Sequence, residues 1–221
     1  MNQVPGGPVP VSQFPVATSR SLDSWLSDQN VNADPREIST RLQWVAFARA
    51  ADISVGAAML SLGITAIAIG FFWGAAAGSI VPMIVFGIVA VLLVLLGLLL
   101  IHRARSRWPN ERRSRVIRGA GTARGGWFAA GGIWLVFAVI LLSTLPSLAS
   151  REEGIVIGLV GIVVCMAFLL VSGLAIPATV LARARQSLRR VASTDLKYRT
   201  MLEQDRLTWH PQFGDQMYGP L

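Results

Sequence analysis

Charge is scarce in this chain, and its absence is concentrated. Between Asp52 and His102 there are 49 consecutive residues without Asp, Glu, Lys, Arg or His. Two further uncharged runs cover Gly125 to Ser150 and Gly154 to Ala182, separated only by Arg151, Glu152 and Glu153. Charged residues make up 14% of the chain, well below the roughly 25% of soluble domains, so the composition is that of a membrane protein. A helix rises about 1.5 Å per residue and a hydrocarbon core is about 30 Å thick. The first run is therefore about twice the length of one crossing and must fold back once, whereas each of the other two crosses once.

The missing residue types exclude chemistries. A carboxylate, His or Arg inside a span is the usual mark of a proton relay or ion path, and the spans hold none, which argues against proton-coupled transport. Haem ligation across a bundle needs histidines on facing helices. The chain has two, His102 at the edge of a span and His210 in the tail. The single cysteine, Cys165, cannot form the paired thiols of a membrane disulfide oxidoreductase and says nothing about redox compartment. A Ser–His pair, an Asp pair or a His cluster for intramembrane proteolysis is likewise missing from the spans. No catalytic residue, cofactor or metal site is expected, and the chain is not expected to be an enzyme. Lysine is nearly absent: nineteen of the twenty cations are Arg, with Lys197 the exception, a skew that coding preference explains as well as phosphate recognition does.

What is there reads as an all-α integral membrane protein with four transmembrane helices arranged as two hairpins. Span one covers Ile53 to Trp73, and the small-residue stretch "GAAAGS" turns the chain. Span two begins at Ile80, with Pro82 in the first turn, where a missing N–H costs nothing. Span three runs from Trp127 to Leu145 and stops near Pro146; span four runs from Gly154 to Ile176, with Pro177 marking a kink or exit. In domain terms, residues 53–101 hold spans one and two and residues 125–182 hold spans three and four.

The cations give a direction. Four lie before span one, eight between His102 and Arg124, and seven after span four, while the two loops on the other side carry only Arg151. The positive-inside rule then places both termini and the 102–124 loop in the cytoplasm of a cell membrane. The stretch "IHRARSRWPNERRSRVIR", with Arg103, Arg105, Arg107, Arg112, Arg113, Arg115 and Arg118, is accordingly an anchor that also contacts anionic lipid headgroups. The net charge of +8 has the same cause. No nucleic-acid partner is expected, because Trp108 is the only aromatic beside those arginines.

Outside the spans, residues 1–33 form a Pro-rich tail expected to be disordered, and the first 50 residues contain no apolar signal-peptide core. Asp34, Pro35 and Glu37 form a helix-start pattern. An amphipathic interfacial helix is expected over 34–52, with a straight run into span one as the alternative. A single cytoplasmic helix is expected over 183–207. The tail from 208 to 221 carries Trp209, Phe213 and Tyr218 among Pro and Gly, and is expected to be extended when alone and to contact a partner. Close helix packing is expected at Gly70, Gly74 and Gly78 and at Gly154 and Gly158, which repeat at four-residue spacing. The resulting functional expectation is a non-catalytic bacterial inner-membrane protein, an accessory or scaffold subunit of a larger respiratory or envelope assembly, in contact with other membrane subunits or further copies of itself. A small channel or uncoupled transporter, formed by oligomers with Ser and Thr facing a pore, is the alternative.

Overall fold

The computed structural model describes residues 21–27, 40–106, 108, 122–144, 153–209 and 218–221. The described residues are helical, with no strand. The helices are α1 (Leu22–Ser27), α2 (Arg41–Ala77), α3 (Val81–Ser106), α4 (Ala123–Ser143), α5 (Glu153–Leu170), a π-helical turn (Val171–Ala175), α6 (Ile176–Ala182), α7 (Ala184–Thr194) and α8 (Leu196–Thr208). Four stretches are long and apolar enough to cross a membrane: α2, α3, α4, and the continuous run Gly154–Ala182.

α2 is a single helix of 37 residues, about 55 Å long, so it exceeds a hydrocarbon core of about 30 Å by several turns. Those extra turns lie at its N-terminal end, where Arg41, Gln43 and Arg49 are found. Of the two readings of this segment, the described part follows the straight run into span one rather than a separate interfacial helix. From Arg41 onward the segment runs unbroken into span one, because nothing between Arg49 and Ile53 breaks a helix. Thr40 is extended (φ −127°, ψ 157°) and its hydroxyl accepts the Gln43 N–H, which makes Thr40 the N-cap. Asp34, Pro35 and Glu37 lie outside the described residues. At the other end Gly78 takes a left-handed φ of 62° and its N–H closes on the Gly74 carbonyl, the usual glycine stop.

α2 and α3 pack antiparallel along a seam of small residues. Gly56, Gly63 and Gly70 recur every seven residues on α2 and face Gly97, Ala90 and Met83 of α3 respectively. The closest approach to backbone is at Gly97, where an added Cβ would sit 2.8 Å from the Gly56 carbonyl oxygen and 3.0 Å from the Leu60 nitrogen. Small residues permit this approach, and dispersion over two touching backbones stabilises it where lipid supplies no hydrophobic drive.

α4 packs against α5, the π turn and α6, with Gly126 set against Leu174 and Ala178. The indole of Trp134 donates to the Val163 carbonyl at 3.0 Å. Pro177 does not end the last span, which continues as helix to Ala182. It has no N–H to offer the Gly173 carbonyl, and the turn before it widens instead, with Ile176 N–H donating to Val171 O. Ser172, fully buried in that turn, lies 2.6 Å from the Ser61 hydroxyl of α2.

The spans form an open row rather than a closed bundle. α3 packs chiefly on α2, α2 also packs on α5 and α6, and α4 packs on the far side of α5 and α6. Large apolar side chains such as Leu92, Leu99, Phe128 and Val139 are consequently exposed on the outer helices.

Candidate functional site

At the cation-rich end of the row both ends of the chain fold into a compact head. Leu42, Val45, Ala46 and Ala50 of α2 are buried with Ala184, Leu188 and Ala192 of α7 and with Tyr198 and Leu202 of α8, and Leu22, Tyr218 and Leu221 complete the cluster. The four-residue spacing of Ala184, Leu188 and Ala192 puts them on one helical face, and that face meets the protruding turns of α2. Full burial of each of the leucines contributes about 1.5–3 kcal/mol, so this end of α2 is held by packing within the chain.

Three expectations about the chain ends change here. The segment 183–207 is two helices, not one: Asp195 leaves the helix (φ −113°, ψ 101°) and its carboxylate accepts the Tyr198 N–H to start α8. Part of the N-terminal tail is ordered, since Leu22–Ser27 is helical and Leu22 is buried. Residues 218–221 are not an extended free end. Tyr218 is 7% exposed and Leu221 1%. The Tyr218 hydroxyl donates to Leu202 O, Leu221 N–H donates to Trp25 O, and the Pro220 carbonyl accepts from both Thr40 and Gln43. Glycine and proline spacing suggested an extended strand, but two apolar side chains at its end had a core to enter.

The polar centre of the head is Arg41. Its guanidinium lies 4.4 Å from the Trp44 ring centre and 3.8 Å from that of Trp209, and it pairs with Asp205 at 3.1 Å. One turn past Ala46, Arg49 approaches the Tyr198 ring at 5.2 Å and donates to the Ser187 hydroxyl at 3.4 Å. Trp108, beyond the end of α3, stacks on the other partner of that contact, with ring centres of Trp108 and Tyr198 5.9 Å apart. The Tyr198 phenol is pushed up to about 12, first by burial and then by Asp205, with Arg49 pulling the other way. Burial raises Tyr218 as well, aided by Asp205 and Glu203.

Of the arginines assigned to lipid contact, Arg103 and Arg105 are exposed on the last turn of α3; Arg107, Arg112, Arg113, Arg115 and Arg118 lie outside the described residues. Of the aromatics assigned to a partner, Trp209 covers Arg41, Tyr218 is buried in its own chain, and Phe213 lies outside the described residues. Among the glycines, Gly70, Gly74 and Gly154 make close helix contacts, Gly158 an ordinary one, and Gly78 caps α2 rather than packing. The four-residue spacing missed Gly56, Gly63, Gly97 and Gly126, and the signal that finds the first two with Gly70 is a seven-residue glycine repeat.

Among the described residues no group of three or more His, Cys, Asp or Glu is placed to hold a metal ion. Several span hydroxyls bond to the backbone of their own helix: Thr65 donates to Ser61 O, Thr179 to Ile176 O, and Ser172 to Phe168 O; Thr65 and Ser172 are buried, whereas Ser143 of α4 is exposed. Comparison with protein families, curated proteins and solved structures finds no match to this chain.

Proposed function

We propose that this chain is a non-catalytic subunit of a larger bacterial inner-membrane assembly, inserted as two helical hairpins with its head and both termini in the cytoplasm. The observation that carries this reading is α2, which is at once a membrane span and the spine of the head, so that a partner bound at either level is tied rigidly to the other. The open row supports it further. α3 and α4 leave long apolar flanks that other membrane helices of the assembly can cover, and the exposed Leu196 and Leu207 on α8 offer the head its own contacts. The burial of Thr65 and Ser172 between helices of this chain favours packing over the pore-forming alternative, which needs such hydroxyls facing a lumen.

Gentle detergent extraction of the full chain followed by mass spectrometry of co-purifying proteins tests the subunit role; isolation as a monomer with no stoichiometric partner would sink it. Solute flux through liposomes holding this chain alone would favour a channel instead. Orientation is tested separately by single cysteines read in a background lacking Cys165. Ser19→Cys, Ser114→Cys and Ser193→Cys should be shielded from an impermeant thiol reagent in intact cells while Ser150→Cys labels. Labelling at position 114 reverses the topology.

A further inference from the structure

α4 does not close on the last span along its whole length. Between them lies a cleft of about 220 Å³ walled by Trp127, Ala130, Gly131, Trp134, Ala167 and Val171. Its cause is local: a Cβ added at Gly131 would meet nothing within 4 Å, and Trp134 is tied across to Val163 O. The walls carry no charge. The volume is below the roughly 300–1,000 Å³ of pockets that enclose a drug-sized molecule, and below that of a single turn of a helix about 10 Å across and about 5.4 Å in pitch. It suits one slender apolar chain.

Above the cleft the charge changes. Because Gly126 packs on Leu174 and Ala178 while Trp134, further along α4, reaches back to Val163, α4 runs antiparallel to the last span, and the first turn of α4 is level with the end of α6. That level brings Arg124, in the first turn of α4, to the same end of the helix pair as Arg183 and Arg185, which directly follow α6. The described ion pairs involve Arg41, Arg199 and Arg206 and none of these three. Nε and Nη2 of Arg185 are closed off from solvent with no hydrogen-bond partner. Along α4, Trp127 stands about 4.5 Å below Arg124 and Trp134 about 15 Å below it, the span of a headgroup phosphate and the upper part of its acyl chain.

We propose that the cleft and its cationic rim bind one anionic phospholipid, with an acyl chain between Trp127 and Trp134 and the phosphate against Arg124, Arg183 and Arg185. Charge complementarity selects the headgroup and the width of the cleft selects the chain. The site rests on the reading of the chain as a membrane protein but not on its role as a subunit.

The test is native mass spectrometry of the full chain released from nanodiscs of phosphatidylcholine with phosphatidylglycerol. One phosphatidylglycerol should be retained in preference to phosphatidylcholine. Arg124→Gln and Arg185→Gln should each reduce that preference about fivefold, the effect of one cation near a lipid surface. Gly131→Leu projects into open space, so it should leave helicity and melting unchanged while expelling the lipid. Equal retention of the two lipids by the unaltered chain, or full retention by a folded Gly131→Leu protein, would overturn the proposal. Lipid retention without any co-purifying partner would sink the subunit role and leave this site standing.

Discussion

Arg41 and Asp205, 164 positions apart in sequence, meet in a two-pronged pair, with Nη2 to Oδ1 at 3.1 Å and Nε to Oδ2 at 3.3 Å. Both side chains are largely withdrawn from solvent, and the flanking indoles of Trp44 and Trp209 shield the pair further. The pair joins the first turn of α2 to the last turn of α8. Breaking it from one side leaves a desolvated charge, which costs about 3 kcal/mol at the lower end of the range for buried pairs. Asp205→Ala should therefore lower head stability by about that amount in denaturant titrations followed by tryptophan fluorescence. The double variant Arg41→Met/Asp205→Leu should lose less than the sum of the two single changes. Additive losses would show that the two groups do not interact.

The tail supplies a second test. Ending the chain at Leu207 removes Trp209, Tyr218 and Leu221 from the head while leaving every span and cation in place. Loss of buried aromatics costs about 3–5 kcal/mol each in well-packed cores, so the head should unfold at lower denaturant, while membrane insertion and span helicity stay unchanged by protease protection and circular dichroism. If head stability is unaltered, the packing of residues 218–221 contributes nothing.

Alkaline titration reports on the same core, because the chain has two tyrosines, Tyr198 and Tyr218, and both sit in the head. An unperturbed phenol ionises near pH 10. Burial raises both in the folded head, Tyr198 to about 12. The folded state thus holds protons that the unfolded state releases, so the stabilisation is fully present below about pH 10 and is lost as pH rises through the folded-state values. Phenolate absorbance at 295 nm should stay flat through pH 10 and rise late, together with loss of head structure. Denaturant should return both phenols to near 10. A normal titration in the native protein would place both hydroxyls in water.

The hydroxyl of Tyr198 has no hydrogen-bond partner among the described residues although it is closed off from solvent. Burying an unpaired hydroxyl is unfavourable by about 1–3 kcal/mol. Tyr198→Phe keeps the ring against Arg49 and Trp108, so it should be neutral or stabilising by about 1 kcal/mol in the same denaturant assay. A clear loss would reveal a partner for that oxygen.

The helix seam predicts opposite outcomes at two glycines of α3. Gly97→Ala places a methyl against the Gly56 carbonyl and Leu60 nitrogen, whereas Gly87→Ala meets nothing within 4 Å. Overpacking costs about 1–3 kcal/mol, so Gly97→Ala should lower the thermal midpoint of the detergent-solubilised protein and Gly87→Ala should not. Equal behaviour of the two would mean that α2 and α3 are not in this register.

The four stretches long and apolar enough to cross a membrane were legible from residue order alone, because the cost of a charge in hydrocarbon depends on composition and length and not on neighbours. The uncharged runs from Ile53, Gly125 and Gly154 therefore mark the helices that are long and apolar enough to span. The head was not legible. Leu42, Leu188 and Leu202 lie in segments of mixed charge whose periodicity fits a membrane-skimming helix as well as a packed one, and only contact between α2, α7 and α8 distinguishes the two. Pro177 marked a departure from regular α-helix but not an exit, since its missing N–H is absorbed by a wider turn beside the buried Ser172. Tyr218 looked like a side chain waiting for a partner because sequence shows hydrophobic surface but not whether the same chain buries it. Sequence by itself determined which stretches can leave water, through solvation energies local to each residue. Tertiary structure decided where α2 ends as a span and begins as the spine of a head, because that boundary depends on which distant side chains cover it.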